Sequence, residues 1–215
     1  MNYNLTTQQC MGVKIYLAEL LMPPFEHTLH LTSLSDDELK MLNDRKTVHK
    51  KSEFIFSRIL IKKHAGIAED QRHLFTVKYC AISKCTGIFQ QKELIQKLSL
   101  SHSRLFIAFV FYKSDLPVAL DIETIKERQV SSIVKAYFCQ QDQEIIINSH
   151  SPLNAFYTLW TKKEAVAKLT NTSVFDLLNT PYNELNKIYN SSKFVLLPSK
   201  AEGIGLSMIE AMICG

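Results

Sequence analysis

Residues 156–168 read Phe-Tyr-Thr-Leu-Trp-Thr-Lys-Lys-Glu-Ala-Val-Ala-Lys, and no glycine or proline interrupts them. Apolar residues recur there at roughly helical spacing, so the stretch predicts a helix with one apolar face, to which the stem of Lys163 contributes. Those positions are Phe156, Leu159, Trp160, Val166 and Ala167. Glu164 and Lys168 lie four positions apart and therefore share a face of this helix. By itself this spacing is typical of a solvent-exposed ion pair worth about 0.2–0.5 kcal/mol.

Two upstream motifs change the interpretation of that helix. Asp121-Ile122-Glu123 ends an apolar segment that is predicted to be a strand, and side chains alternate along a strand, so both acids point to the same side. Ser101-His102-Ser103 precedes the unbroken apolar run 105–112, which predicts a buried strand. Taken separately, the acids fit a solvent-facing strand end, and the histidine fits a structural residue.

The composition is ordinary for a globular protein. The chain has 215 residues, enough for one large or two small domains, with 46% hydrophobic and 21% charged residues. A net charge of +4 suits a polyanionic small molecule or an acidic protein partner and does not point to nucleic acid. Five cysteines without CxxC spacing favour a reducing compartment, the cytoplasm. A signal peptide is not expected, because Lys14 and Glu19 interrupt the apolar residues 13–22, and a membrane span is not expected, because no apolar stretch approaches about 18 residues.

The N-terminal half predicts strands and two helices. Residues 13–18 and 74–83 have strand character, and Ser35 with Glu38 forms the signature of a capping box at a helix start. A second helix is predicted over residues 52–63, with Gly66 as its C-terminal stop. This helix carries a basic face that is expected to be solvated for the most part. Its members are Lys50, Lys51, Arg58, Lys62 and Lys63.

Together and in this order, the three motifs resemble those of the 4′-phosphopantetheinyl transferase superfamily, specifically its larger, pseudo-dimeric, surfactin-synthetase-activating type. That family carries Ser-His-Ser, then Asp-x-Glu after a strand, then a W-x-x-K-E-x-x-x-K helix, which residues 160–168 match. The spacing also fits, with 19 positions from His102 to Asp121 and 41 from Glu123 to Glu164. The resemblance covers roughly residues 12–180.

The resemblance implies a group transfer. Such enzymes move the 4′-phosphopantetheine moiety of coenzyme A onto a serine of an apo acyl or peptidyl carrier protein and release adenosine 3′,5′-bisphosphate. They serve fatty acid, polyketide and nonribosomal peptide biosynthesis. By this resemblance, Asp121, Glu123 and Glu164 hold Mg²⁺, Glu164 also acts as the base for the serine hydroxyl, and Lys168 offsets charge on the diphosphate. Three carboxylates suit Mg²⁺, because it prefers oxygen ligands.

The resemblance also implies a coenzyme A site. His102, with Ser101 beside it and Arg104 as a helper, is expected to bind the 3′-phosphate. Arg45, Lys51 and Arg58, together with Lys46, are candidates for binding the phosphates of coenzyme A. Serine hydroxyls, imidazole N–H groups and guanidinium groups are all donors that suit phosphate oxygens.

One family motif is incomplete. A Gly-Lys-Pro turn is expected about fifteen residues before the histidine, and Gly87-Ile88-Phe89 stands at that position, without the lysine that meets the cofactor. Either Lys84 or Lys92 substitutes for it, or the affinity for coenzyme A is reduced.

The resemblance further implies an α+β fold. Two similar α+β subdomains related by a pseudo-twofold are expected, with the active site at their interface and a C-terminal half that is shortened. The expected division is 1–104 for the N-terminal subdomain, 105–182 for the subdomain that carries the metal and catalytic motifs, and 183–215 for a tail. A monomer is expected, with coenzyme A and a carrier protein as partners, and without nucleic acid or membrane.

The tail has a separate resemblance. Residues 184–215 contain Pro-Ser-x-x-Glu-Gly-x-Gly and then Glu-Ala-Met-x-x-Gly, with Glu202 and Glu210 at a Glu-x₇-Glu spacing. This pattern is similar to the sugar-nucleotide-binding stretch of retaining glycosyltransferases. Because the rest of such an enzyme is missing, we interpret the tail as a fusion or gene-boundary fragment that does not bind a sugar nucleotide by itself.

Three alternatives remain open at this point. The chain is an inactive remnant that only binds carrier protein or coenzyme A, a fragment of a glycosyltransferase, or a generic α+β binding domain. Metal-dependent transfer by the purified protein separates the first alternative from an active transferase.

Overall fold

The computed structural model describes residues 3–10, 13–21, 27–113, 118–185 and 193–199, the last range by its backbone alone. The chain divides into two compact units. The first comprises Met1–Gln9 and Val13–Lys113, and the second comprises Cys10–Gly12 and Ser114–Gly215. Helices and strands occur in both, so the protein is an α+β protein, as the sequence predicted.

The first unit contains a six-stranded sheet with the order β1-β2-β6-β5-β4-β3. The pairs β2–β6, β6–β5, β5–β4 and β4–β3 are antiparallel. The strands are β1 (Tyr3–Cys10), β2 (Val13–Leu20), β3 (Phe75–Cys80), β4 (Cys85–Gln90), β5 (Glu93–Ser103) and β6 (Phe106–Tyr112). The sequence assigned residues 105–112 to the second subdomain. The structure instead places β6 in the first unit, because β6 is hydrogen-bonded between β2 and β5.

Two α-helices of the first unit follow β2. They are α1 (Asp36–Asn43) and α2 (Val48–His64), and 3-10 helices cover His27–Ser33 and Glu69–Leu74. The predicted capping box is present at α1: Ser35 Oγ accepts from the Glu38 N–H, and Glu38 Oε2 accepts from the Ser35 N–H. Helix α2 begins before the predicted residue 52, because Thr47 caps it through the Lys50 N–H. Its apolar face packs on the sheet in a core that includes Phe56, Leu60, Leu98, Ile107 and Phe109.

A buried ion pair connects α1 and α2. Lys62 Nζ lies 2.5 Å from Glu38 Oε2, and both side chains are fully buried. Glu38 Oε1 also accepts from the Val77 N–H on β3 at 2.8 Å. Lys62 therefore does not belong to the solvated basic face that the sequence predicted for α2, because its ammonium is needed to neutralise the Glu38 carboxylate inside the unit.

The second unit consists of helices and a two-stranded parallel sheet, β7 with β8. Its elements are β7 (Val118–Thr124), α3 (Ser131–Tyr137), α4 (Gln140–Ile147), α5 (Pro152–Thr170), α6 (Val174–Leu178) and β8 (Lys193–Ser199). Helix α5 is the predicted central helix. It begins with proline in its first turn, where no helical N–H is lost, and it ends at Thr170. Asn171 caps it with a left-handed φ of 54°, a conformation that glycine or asparagine usually supplies there.

Strand β8 lies within the segment that the sequence assigned to the tail. Glu202 and Glu210, on which the glycosyltransferase resemblance depends, lie outside the described residues. In the part of the chain that the structure describes, none of the helices has the length and apolar character needed to cross a bilayer.

Candidate active site

Strand β7 and helix α5 bring the predicted acidic residues together in the second unit. Asp121 on β7 is buried, whereas Glu123 on β7 and Glu164 on α5 are half-buried. Lys168, one turn after Glu164, donates from Nζ to Asp121 Oδ1 at 2.8 Å and to the Leu120 carbonyl oxygen at 3.1 Å. Lys168 therefore ties α5 to β7, a contact that the spacing within the helix did not reveal.

The Glu164 carboxyl is affected both by its burial and by the charges around it. Burial raises the pKa of the Glu164 carboxyl, and the negative charge of Asp121 raises it further. Lys168 lowers the pKa of Glu164, and Glu123 adds a smaller increase. A carboxylate whose neighbours are also carboxylates is destabilised in its charged form, which is the usual condition of an acid that binds a cation or accepts a proton.

The donor chemistry of these acids fits Mg²⁺. Within the described ranges, no three His, Cys, Asp or Glu side chains are arranged so that they could together hold a metal ion. Mg²⁺ does not require one, because it usually binds through one or two carboxylates and completes its shell with water and substrate phosphates. Mutually repelling carboxylates on one strand and one helix are consistent with such an open site.

Lys163 has a structural role that the sequence did not indicate. Its ammonium is fully buried, lies 2.8 Å from Asp142 Oδ2, and donates to the carbonyl oxygens of Leu177 and Thr180. Asp142 Oδ1 accepts in turn from the Tyr182 N–H at 3.1 Å. This pair connects α4, α5 and the segment after α6. The one signal in the sequence was that Lys163 falls on the apolar face of the helix.

The predicted 3′-phosphate ligand, His102, lies near the C-terminal end of β5 in the first unit. Half of its side chain is exposed, and its Nδ1 lies 2.8 Å from Oε1 of Glu53 on α2. Ser101, the preceding residue, is buried. Arg104 follows in the turn to β6 with a φ of 53° and is exposed. The contact with Glu53 was not predicted.

Two of the predicted phosphate-binding arginines meet at one aromatic ring. Arg58 Cζ lies 3.9 Å and Arg45 Cζ 5.2 Å from the centre of the Phe54 ring. Arg58 donates from NH1 to Ser57 Oγ at 2.9 Å, and its buried Nε has no hydrogen-bond partner among the described residues. Burial lowers the pKa of Arg58 to about 10; Glu38 opposes this shift and Arg45 adds to it. Two close guanidiniums of this kind favour an anionic ligand.

Lys51 also lies on α2, seven residues before Arg58, so that the two side chains share a face of the helix. The incomplete Gly-Lys-Pro motif lies on strand β4. A Cβ on Gly87 would collide with the Leu94 side chain and lie 2.9 Å from the Gln96 carbonyl oxygen, so β5 excludes any side chain there. Lys84 immediately precedes β4 and Lys92 follows it, at opposite ends of the strand.

Comparison with known families gives a match in the second unit. Residues 117–195 match the family model described as the 4′-phosphopantetheinyl transferase superfamily. The match includes β7 and α3 to α6 and reaches the start of β8. A comparison with curated proteins found no match. Residues 117–195 are therefore similar to the 4′-phosphopantetheinyl transferase superfamily, which supports the superfamily that the sequence motifs predicted. This superfamily indicates a transferase and implies phosphopantetheinyl transfer in general.

Proposed function

We propose that this protein transfers the 4′-phosphopantetheine moiety of coenzyme A to a serine of an apo acyl or peptidyl carrier protein and releases adenosine 3′,5′-bisphosphate. The observation that supports this most strongly is the environment of Glu164 inside the matched domain, where burial and then the negative charges of Asp121 and Glu123 raise the pKa of its carboxyl. Such an arrangement of acids is consistent with a site for phosphoryl transfer, where charge neutralisation and positioning lower the barrier.

The acids have distinct proposed roles. Asp121, Glu123 and Glu164 would hold Mg²⁺, which when bound supplies positive charge to the diphosphate oxygens of coenzyme A. Glu164 accepts the proton of the serine hydroxyl, directly or through a water. A raised pKa makes its carboxylate a stronger base than an ordinary glutamate. The serine oxygen then forms a bond to the β-phosphorus, and the bond from that phosphorus to the oxygen of the leaving adenosine 3′,5′-bisphosphate breaks.

Lys168 supplies the positive charge of the chain at this site. Its side chain is one-third exposed, and its ammonium pairs with Asp121, whose side chain is only 7% exposed. A long, partly exposed lysine can exchange a carboxylate partner for a phosphate oxygen without moving its helix. In this proposal Lys168 offsets the charge of the diphosphate and of the leaving group.

Residues of the first unit are proposed to bind coenzyme A. His102 and Ser101 would take the 3′-phosphate, and Arg45, Lys51 and Arg58 would take further phosphate oxygens. The support is that the Arg58 guanidinium is close to Arg45 and has a lowered pKa, which a bound anion would relieve.

Several finer features also remain proposals. A pseudo-twofold relation of two similar halves with the site at their interface, a shortened second half and a monomeric state rest on the resemblance alone. A positive net charge of +4 is consistent with an acidic carrier protein as partner. An odd number of cysteines without CxxC spacing supports a cytoplasmic location.

The substitution Glu164→Gln tests the proposal. The variant and the wild-type protein are incubated with coenzyme A, Mg²⁺ and an apo carrier protein, and the intact mass of the carrier is followed. We expect Glu164→Gln to slow transfer by about 100-fold or more, because general-base catalysis contributes about 10²–10⁴-fold. The matched control is Glu144→Gln, which removes an exposed carboxylate of α4 in the same unit and should leave the rate unchanged.

An inactive remnant that binds without transfer is the second candidate. It is favoured by Ile88, which stands where the family has the lysine of its Gly-Lys-Pro turn. Coenzyme A binding by calorimetry without any gain in carrier mass would support this candidate over the transferase.

A further inference from the structure

Glu53 is the unexpected member of the His102 environment. It lies on α2 between Ser52, which is half-buried, and Phe54, which is buried. Only 12% of the Glu53 side chain is exposed. Its Oε1 lies 2.8 Å from His102 Nδ1, within the range of a charge-assisted hydrogen bond. A carboxylate this close to a residue that binds phosphate would repel the phosphate unless it contributed to the function of the histidine.

The chemistry of imidazole explains how the acid can help. The two ring nitrogens are distinct, and the hydrogen bond made by one decides what the other can offer. Glu53 is an acceptor, so Nδ1 carries a hydrogen and donates to it. A ring that donates from Nδ1 to a carboxylate and from Nε2 to a phosphate is an imidazolium, and the carboxylate offsets its positive charge on the side away from the ligand.

We propose that Glu53 is a positioning residue that orients the His102 imidazole through its contact with Nδ1, so that Nε2 selects ligands that carry a 3′-phosphate. This inference rests on the proposed function, in which His102 binds the 3′-phosphate of coenzyme A. It also explains how the protein would select its ligand. Coenzyme A would bind in preference to 3′-dephospho-coenzyme A because of Glu53, which contacts neither ligand.

The location of the pair supports a positioning role. His102 is on β5 and pairs with Ile107 of β6, which is fully buried in the core of the first unit. Glu53 is on a helix whose next three residues, 54–56, are all buried. Both partners are thus carried by regular elements, which hold a side chain in place more closely than loops do. Half of the histidine side chain is nevertheless exposed and therefore accessible to a ligand.

The test is a binding experiment on the full chain without Mg²⁺. Isothermal titration calorimetry measures the affinities for coenzyme A and 3′-dephospho-coenzyme A of the wild type, Glu53→Ala, Glu53→Gln and His102→Ala. We expect Glu53→Ala to weaken coenzyme A binding about tenfold and to leave 3′-dephospho-coenzyme A within about twofold, as is usual for residues that orient a ligand-binding histidine. Glu53→Gln keeps an acceptor for Nδ1, so its affinity for coenzyme A should decrease less than that of Glu53→Ala.

The loss should also depend on the histidine. In a His102→Ala background, Glu53→Gln should have no effect on either affinity, because the interaction it supports is already gone. Glu93→Gln, an exposed acid at the opposite end of β5, is the matched control and should change nothing. Nitrogen-15 NMR of the imidazole should show two protonated ring nitrogens in the wild type bound to adenosine 3′,5′-bisphosphate.

The outcomes separate this inference from the proposed function. Equal weakening of both ligands by Glu53→Gln, or tighter coenzyme A binding in that variant, would overturn the positioning role. If the wild type transfers phosphopantetheine to a carrier but shows no preference for the 3′-phosphate, the positioning inference is wrong and the proposed function stands. If no transfer occurs but the preference for the 3′-phosphate and its dependence on Glu53 are observed, the proposed function is wrong and the positioning inference stands.

Discussion

Lys163 provides the sharpest prediction about stability. It belongs to the Trp-x-x-Lys-Glu pattern and could be mistaken for a catalytic lysine, but its ammonium is fully buried against Asp142. Replacement by methionine keeps much of the volume and removes the charge, which leaves the Asp142 carboxylate buried without its counter-ion. Removing one partner of a buried pair costs about 3–5 kcal/mol. A loss of this size is a large fraction of the ~5–15 kcal/mol that stabilises a typical protein.

The assay is urea unfolding followed by the fluorescence of Trp160, the single tryptophan, which lies one turn before Lys163 on α5. Because 1 kcal/mol shifts Tm by about 2–4 °C in a chain of this size, we also expect a decrease in Tm of about 6–20 °C. Lys135→Met, at an exposed lysine of α3, is the control and should stay within about 0.5 kcal/mol of the wild type.

A double substitution distinguishes the effect of losing one charge of the Lys163–Asp142 pair from the effect of losing both. Lys163→Met combined with Asp142→Leu removes both charges together and should recover most of the lost stability, because an apolar replacement of a buried pair is often neutral. If Lys163→Met is as stable as Lys135→Met, the reasoning about this pair is refuted.

Three further predictions concern the first unit. Burial, with the charges of Lys63 and Lys14 adding to it, lowers the pKa of His64 below its ordinary value of 6.5, so the unfolded chain binds more protons than the folded protein below that pH. The free energy of unfolding should therefore be highest above pH 6.5 and should decrease as the pH falls toward the pKa of His64 in the folded protein. In urea titrations at a series of pH values, the free energy of unfolding of His64→Phe should depend less on pH than that of the wild type. Ser35→Ala removes the α1 cap and should cost about 1 kcal/mol in the same assay. Gly87→Ala forces a Cβ against β5 and should cost about 1–3 kcal/mol; unchanged stability would show that β5 adjusts freely.

The sequence predicted the features that depend on local pattern. The capping box of α1 follows from residues three positions apart, and the central helix α5 follows from its apolar spacing. The acids of β7 and α5 were found through the motifs of a family, and the structure adds that burial, together with the charges of Asp121 and Glu123, raises the pKa of Glu164.

The features that were missed depend on contacts between distant residues. In the sequence, Lys62 and Lys163 look like ordinary helical lysines. Only the structure shows that Lys62 pairs with Glu38, and Lys163 with Asp142, in the interior. The pairing of β6 with β2 and β5 decides which unit holds that strand, and pairing partners cannot be read from an apolar run alone. Glu53 was not recognised because its partner His102 lies on another element, far along the chain.

The most direct measurement concerns the reaction itself. Purified protein is incubated with coenzyme A, Mg²⁺ and a panel of apo carrier proteins, and the adduct on the carrier serine is measured by intact mass together with the release of adenosine 3′,5′-bisphosphate. We predict that at least one carrier gains one phosphopantetheine for each adenosine 3′,5′-bisphosphate released, and that the same carrier with serine replaced by alanine gains none. Release of adenosine 3′,5′-bisphosphate without any adduct, or an adduct that forms equally well with Glu164→Gln, would contradict the proposed transfer at these acids.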